Sequence, residues 1–252
     1  PIIWSILMSL KSNKEFFNNI WGLPSVWAFE NYARAWTTAR IGSYFTNSVF
    51  ITVATNLLII LMCAPTSYIL ERIKFKCAFL IKTLFVSGML FPQLTVLLSQ
   101  YLVLTKFRLI NTYTGLILVY LVVSMPFTIF MLVGFFNTIP KELEESATID
   151  GCGYNRTFWS IMFPMAKSGV IMVTIFNVLA VWNEYAIGLT LVNDDKKKTI
   201  AVGLTNLFAM QQYYTDWSAL FAGLNILMIP SIIIYVLFQK RITQGITLGA
   251  IK

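Results

Sequence analysis

Five stretches of apolar side chains, each long enough to cross a bilayer, dominate the chain, and short polar segments divide them. They lie near 43–70, 78–105, 113–136, 165–190 and 217–239. A helix needs about 20 such residues to cross roughly 30 Å of hydrocarbon. Residues 1–10 read as the outer end of a sixth span whose beginning precedes this numbering. The chain opens on Pro1 rather than methionine, which fits a truncated sequence. No basic leader with a small-residue cleavage site points to a signal peptide. The pattern predicts an all-α, polytopic membrane protein: six transmembrane helices, the first truncated, in one transmembrane domain over 1–252.

Pro65, Pro92, Pro126 and Pro230 fall inside apolar runs, where each removes a backbone hydrogen bond and favours a kink. Such kinks serve ordinary bundle packing, and they also shape a central cavity that opens to either side in turn. Between the fourth and fifth runs Pro140 is followed by Glu142, Glu144 and Glu145. Carboxylates in a first helical turn are favoured by the helix dipole, so a short helix is predicted over 141–150. Gly151 and Gly153 are expected to end it, since glycine readily takes the positive φ of a helix end.

Composition agrees with the pattern. The chain is 57% hydrophobic and 12% charged, with mean hydropathy +0.71, against about 45–50% and 25% for a soluble domain. A soluble fold of this length could not bury so much apolar side chain. The net charge of +8 sits between the apolar runs and reads as loop and headgroup anchoring, not as a nucleic-acid surface. There is no histidine, and Cys63, Cys77 and Cys152 form no C-x-x-C, so neither a zinc site nor a disulfide framework is indicated. No phosphate loop of the G-x-x-x-x-G-K-[S/T] kind occurs. The chain is therefore expected to be no enzyme and to carry no cofactor of its own. Lysine and arginine nearly balance across the two sets of loops, so charge alone orients the chain weakly.

The acidic loop also carries a spaced motif. Glu145-Ser146-Ala147, three residues, Gly151, nine residues, then Ile161 and Pro164 resembles the EAA loop of ABC-importer permeases. Ser146 replaces the first alanine of that pattern and Phe163 its leucine. Further matches lie in order along the chain: Asn31-Tyr32, Asn47-Ser48, Phe91-Pro92, Leu109-Ile110-Asn111, Pro126-Phe127, Ile139-Pro140, Trp182-Asn183-Glu184-Tyr185 and the tail Gly245 to Lys252. Together they are similar to the carbohydrate branch, specifically the second permease subunit of a maltose-type system.

The resemblance implies a type I ABC-importer permease fold in the cytoplasmic membrane of a bacterium. It implies that 137–164 is a cytoplasmic coupling loop, with Glu142, Glu145, Ser146, Ala147, Asp150, Gly151 and Pro164 at the contact with an ATPase subunit. Segments 11–42, 106–112 and 191–216 are then extracellular. The implied partners are a homologous permease in a heterodimer, two ATPase subunits carrying ATP and Mg, an extracellular solute-binding protein, the lipid bilayer and a carbohydrate, expected to be an oligosaccharide.

Polar residues inside spans are costly and usually face a cavity or a partner. Asn177 and Glu184 are seven residues apart, so in one helix they share a face. With Trp182, Asn183, Tyr185 and Gln93 they offer the amides, carboxylate and aromatic ring that a sugar path needs; Gln100 and Asn56 are lesser candidates. The same groups also suit hydrogen bonds between helices or anchoring at headgroup level. Asn193 to Lys198 read as a solvated turn, ahead of Gln211-Gln212-Tyr213-Tyr214, with docking of the binding protein as the alternative. Trp21, Trp27, Phe29, Tyr32 and Trp36 suit an amphipathic segment along the outer interface. Two other functions compete: a secondary transporter for a small polar solute, which normally shows inverted repeats, and an ABC importer of a non-sugar substrate.

Overall fold

Where an apolar run holds few breakers it becomes one long helix. In the structure, a computed structural model, α4 (Ile41–Arg72) and α7 (Tyr113–Thr138) are continuous, as is α14 (Trp217–Ala250). The structure describes residues 1–210 and 216–250, apart from the side chains of 206, 207, 209, 210 and 240–250. The Gln211 to Tyr214 run and the last two residues of the tail lie outside the described residues. Pro65, Pro126 and Pro230 sit inside these three helices, which carry on through them. The remaining elements in chain order are α1 (Ile2–Ser9), α2 (Asn13–Asn18), α3 (Glu30–Thr37), α5 (Ala78–Gly88), α6 (Gln93–Lys106), α8 (Glu142–Ile149), α9 (Tyr154–Thr157), a π-helical turn (Phe158–Met162), α10 (Phe163–Met165), α11 (Lys167–Trp182), α12 (Ala186–Leu191) and α13 (Ile200–Met210). No strand occurs among the described residues.

Two of the expected spans are not straight. The run 78–105 is two helices, α5 and α6, bent by 105° at the break. Pro92 stands there with φ −61° and ψ 128°; it lacks an N–H, and its ring drives the preceding residue out of the α region. The run 165–190 is bent by 74° at its start and its helix ends early, at Trp182. Three helices are thus long and apolar enough to cross a membrane, or five if each bent pair is one span.

The helices fall into two compact units. The first comprises Pro1–Ile51, Arg108–Leu116 and Trp182–Val236. Its core is Ala35, Ile41, Tyr44, Trp182, Ile200, Leu204 and Leu220. The second comprises Thr52–Phe107, Ile117–Val181 and Leu237–Lys252. Its core joins Ile59, Cys63 and Tyr68 of α4 to Leu121, Ile129 and Phe136 of α7, with Phe158, Met162 and Val173. The Phe158 ring lies 5.2 Å from that of Tyr68. Where helices pack within lipid, which is itself apolar, such contacts hold by close fit more than by escape from water. Segment 11–42 and the described parts of 108–112 and 191–216, all expected outside, belong to the first unit, and the acidic loop belongs to the second.

In the first unit the charged run of Asn193 to Lys198 is pinned, not a solvated turn. Asn111 Oδ1 accepts from the N–H groups of Asn193 and Asp194 at 3.1 and 2.8 Å. Asn47 donates to the carbonyls of Lys196 and Lys198 at 2.8 and 3.0 Å, and Tyr113 donates to Asn47 at 2.9 Å. Asp195 takes the Tyr44 hydroxyl at 2.9 Å and Arg40 at 3.1 Å. Burial raises the Asp195 pKa, but the Tyr44 hydroxyl and the Lys198 and Arg40 charges outweigh it and hold the carboxyl below its ordinary value. The contribution of this carboxylate is therefore complete at neutral pH and is lost as the pH falls through that depressed value. Three residues with side chains adopt left-handed backbone here or beside it: Arg40 (φ 59°), Arg108 (φ 57°) and Asn111 (φ 62°).

Candidate coupling loop and polar path

The acidic loop folds as its residues dictate. Glu142, Glu144 and Glu145 occupy the first turn of α8, where the dipole favours them. At the other end Gly151 takes φ +77°. Its N–H donates to the Thr148 carbonyl at 3.0 Å, and the Cys152 N–H reaches the Ala147 carbonyl at 2.8 Å. That pair of bonds is the Schellman closure, which satisfies the last carbonyls of the helix. Gly153 departs from expectation: its φ of −72° and ψ of 162° are extended, and it starts α9 rather than ending α8. One glycine completes the cap, which leaves the second free to lead the chain out.

The loop has an inner and an outer side. Ile139, Leu143 and Ala147 recur every fourth residue; Ile139 and Ala147 are buried, and Ile139 and Leu143 belong to the core of the second unit. Glu142, Glu145, Ser146, Ile149, Asp150 and Gly151 are exposed, with Ile149 86% accessible. Of the seven expected coupling residues, only Ala147 is buried; it is the small side chain that lets α8 lie close to the core. Pro164 is also exposed and stands in the first turn of α10, where a missing N–H costs nothing. Sequence reasoning missed Arg72. Its side chain is 4% exposed and lies 3.9 Å from Glu144, and it donates to the carbonyls of Phe136 and Ile139.

The polar-path candidates are divided between the units, with Gln93 and Asn177 in the second and Trp182 to Tyr185 in the first. Asn177 is buried and donates to the Thr128 hydroxyl at 2.9 Å. Gln93 donates to Gln100 at 3.0 Å. Asn56 is buried and donates to the Thr52 carbonyl at 2.8 Å. The Trp182 indole donates to the Leu227 carbonyl at 3.0 Å and meets Phe45 edge-on, centroids 5.4 Å apart. The shared-face argument for Asn177 and Glu184 does not hold, because α11 stops at Trp182. Glu184 lies past the helix end and turns its carboxylate onto the N–H groups of Ile187 and Gly188, at 2.7 and 3.0 Å. It thereby satisfies donors at the start of α12 that have no partner within that helix. Asn183 and Tyr185, on either side of it, are exposed, and Asn183 donates to the Ser231 hydroxyl at 3.3 Å.

Comparison with known proteins bears on this arrangement. Residues 16–248 match the family described as binding-protein-dependent transport system inner membrane component. The chain is 37% identical over 252 residues to the diacetylchitobiose uptake system permease protein NgcG of Streptomyces coelicolor, covering 100% of this chain and 83% of that one. It is 30% identical to AmyC of Thermoanaerobacterium thermosulfurigenes, a probable starch degradation products transport system permease protein, over 100% and 91% of the two chains. With the melibiose/raffinose/stachyose import permease protein MelC of Bacillus subtilis it shares 29% identity over the same shares. Among solved structures it superposes with TM-score 0.82 on a chain of a bacterial ABC transporter involved in import of the acidic polysaccharide alginate. That match covers 95% of this chain and 89% of the other, at 22% identity, and establishes the fold.

Proposed function

This chain belongs to the family of binding-protein-dependent transport system inner membrane components, and we propose that it forms, with a homologous permease subunit, the membrane path for an oligosaccharide. As a member it is a non-catalytic, multi-pass subunit of the cytoplasmic membrane. In this reading ATP and Mg are held by two separate ATPase subunits, and an extracellular solute-binding protein delivers the sugar. The observation that carries the substrate class is the set of relatives matched over the whole chain, which are named for chitobiose, starch-product and raffinose-type uptake. Purification of the intact assembly tests it: a peripheral ATPase should accompany the chain, and uptake should require both that ATPase and the binding protein. Uptake by this chain without an ATPase would instead identify a secondary carrier, and uptake confined to a non-sugar solute would replace the substrate class.

Within that assembly the exposed side of α8, with Glu142, Glu145, Ser146 and Asp150, is the surface that meets the ATPase, with Ala147 and Gly151 shaping it and Pro164 leading into the fifth span. The sorting of the expected outer segments into one unit and of the acidic loop into the other supports this orientation. A chain whose native cysteines are replaced by serine or alanine tests it by labelling in intact cells. Asn193→Cys should react with a membrane-impermeant thiol reagent, and Ser146→Cys should not; the reverse pattern overturns the orientation.

For the sugar path, the break between α11 and α12 is the feature to weigh. Irregular backbone at membrane depth is tolerated only where protein buries it or it lines a water-filled cavity, and Asn183 and Tyr185 are exposed at this break. Asn183 and Tyr185 touch the sugar in this reading, while Asn177, Trp182, Glu184 and Gln93 hold the surrounding backbone. Asn183→Ala is then expected to lower transport a few-fold, the ~0.5–1.5 kcal/mol of one hydrogen bond, without releasing the ATPase. Glu184→Ala is expected to lower the melting temperature of the assembly through the lost cap, worth about 1 kcal/mol. Sugar-stimulated ATPase activity in a background independent of the binding protein, together with thermal melts, separates the two effects. An assembled Asn183→Ala complex with an unchanged sugar response would remove this residue from the path.

A further inference from the structure

Two consecutive residues close α4, and their side chains reach different parts of the second unit. Glu71 accepts from Asn137, at the end of α7, and from Lys82 of α5 at 2.8 Å. Arg72 donates to the carbonyls of Phe136 and Ile139, at and just beyond the end of α7. Its guanidinium thus caps a neighbouring helix, whose last carbonyls have no partner within that helix. The planar fork of arginine serves two such acceptors and still presents a further N–H edge. That edge faces Glu144, in the first turn of α8, at 3.9 Å.

The pair is loose. A charge-assisted N–H···O bond closes at about 2.7–2.9 Å, whereas Arg72 and Glu144 stand 3.9 Å apart with side chains 4% and 21% exposed. Arg72 Nε and Glu144 Oε1 are both buried without a hydrogen-bond partner. Unsatisfied buried polar atoms are costly, and a shift of about an ångström by α8 would join these two charges more closely. Leu143, beside Glu144, packs against the core in which Phe136 is buried, so α8 is seated on that core but is not bonded tightly to Arg72.

We propose that Arg72 is a positioning residue for the coupling loop. Fixed to the end of α7, it orients α8 through Glu144, and tightening of this pair passes load on α8 to the ends of α4 and α7. The inference rests on the coupling role of α8 proposed above. It assigns to a residue outside the loop the transmission of what the loop receives.

The test uses the full importer with its partner subunits, in a background without native cysteines. Spin labels at Thr138→Cys and Ile149→Cys, both exposed in this chain, report the placement of α8 against the end of α7. Uptake per ATP hydrolysed reports the coupling. Arg72→Met is expected to broaden the label distance and to lower uptake per ATP about tenfold or more, the scale of one buried charge-assisted hydrogen bond. Arg72→Lys, with its single-point ammonium, should restore only part of both. Unchanged label distances in an assembled Arg72→Met complex overturn the proposal, whatever the uptake. A broadened distance with unchanged coupling keeps the positioning role and removes the coupling role of the loop. If Arg72→Met does not assemble, Glu144→Gln, similar in shape but neutral, takes its place: broadening with reduced coupling supports the proposal, and an unchanged distance overturns it.

Discussion

Replacing Glu145 by lysine is expected to abolish uptake while leaving the helices intact. The side chain is exposed on the outer side of α8, so nothing within the fold should resist the change. The reversal acts only on a surface that meets something else, and a like charge set against a partner costs several kcal/mol. Gly151→Leu should give the same outcome by another route. No atom lies within 4 Å of the place its Cβ would occupy, so crowding is not the cause. The cause is φ +77°, which a side chain makes unfavourable by roughly 1–2 kcal/mol and which the Schellman closure requires. Uptake, helix content by circular dichroism and the amount of co-purified ATPase form the set of measurements. Uptake at the wild-type rate in either variant, with the ATPase bound in full stoichiometry, would refute the docking role of α8.

Gly115→Ala is expected to be the most damaging single-methyl change on the outer side. An added Cβ would stand 2.2 Å from the carbonyl oxygen of Leu109, and a backbone atom cannot swing aside as a side chain can. Relief requires movement of 109–112, yet Asn111 of that turn is bonded to Leu191 through its N–H and to Asn193 and Asp194 through its side chain. The clash would therefore spread to the pinned 193–198 loop. Overpacking in a tight site costs typically 1–3 kcal/mol, and the strained turn places this case at the upper end. A melting temperature in detergent within a degree of wild type would show that the turn yields more easily than its bonds suggest.

Much of this was legible in the chain, for physical reasons. A residue facing lipid needs no partner, so an uninterrupted apolar run is enough to announce α4, α7 and α14. The α8 helix and its cap were legible because acidic first turn and glycine stop act within a few residues of each other. The severity of the break at Pro92 was not, since Pro65, Pro126 and Pro230 carry the same local penalty and their helices continue. The end of α11 was hidden as well: neither glycine nor proline marks Trp182, and the stop depends on a carboxylate turning onto backbone N–H groups ahead of it. Arg72 could not be singled out, because its meaning lies in Phe136, Ile139 and Glu144, which are distant in sequence. Asn111 hides in the same way, as a turn residue whose partners lie about 80 positions on.

The π-helical turn at Phe158–Met162 gives the interval between Gly151 and Ile161 a meaning beyond its length. A π-turn holds one residue more than an α-turn, and each residue of an α-helix advances the azimuth by about 100°. The segment that leads from the cap of α8 into α11 is therefore a dial with a set phase. Removing Ser160, an exposed residue within that turn, would let the helix relax to a plain α-repeat and wind everything beyond it out of phase. Val173, now in the core, would rotate off it without a single core side chain having been altered. The spacing in this stretch fixes an angle, and a chain that kept every named residue but lost one from the interval would present the wrong face of its fifth span.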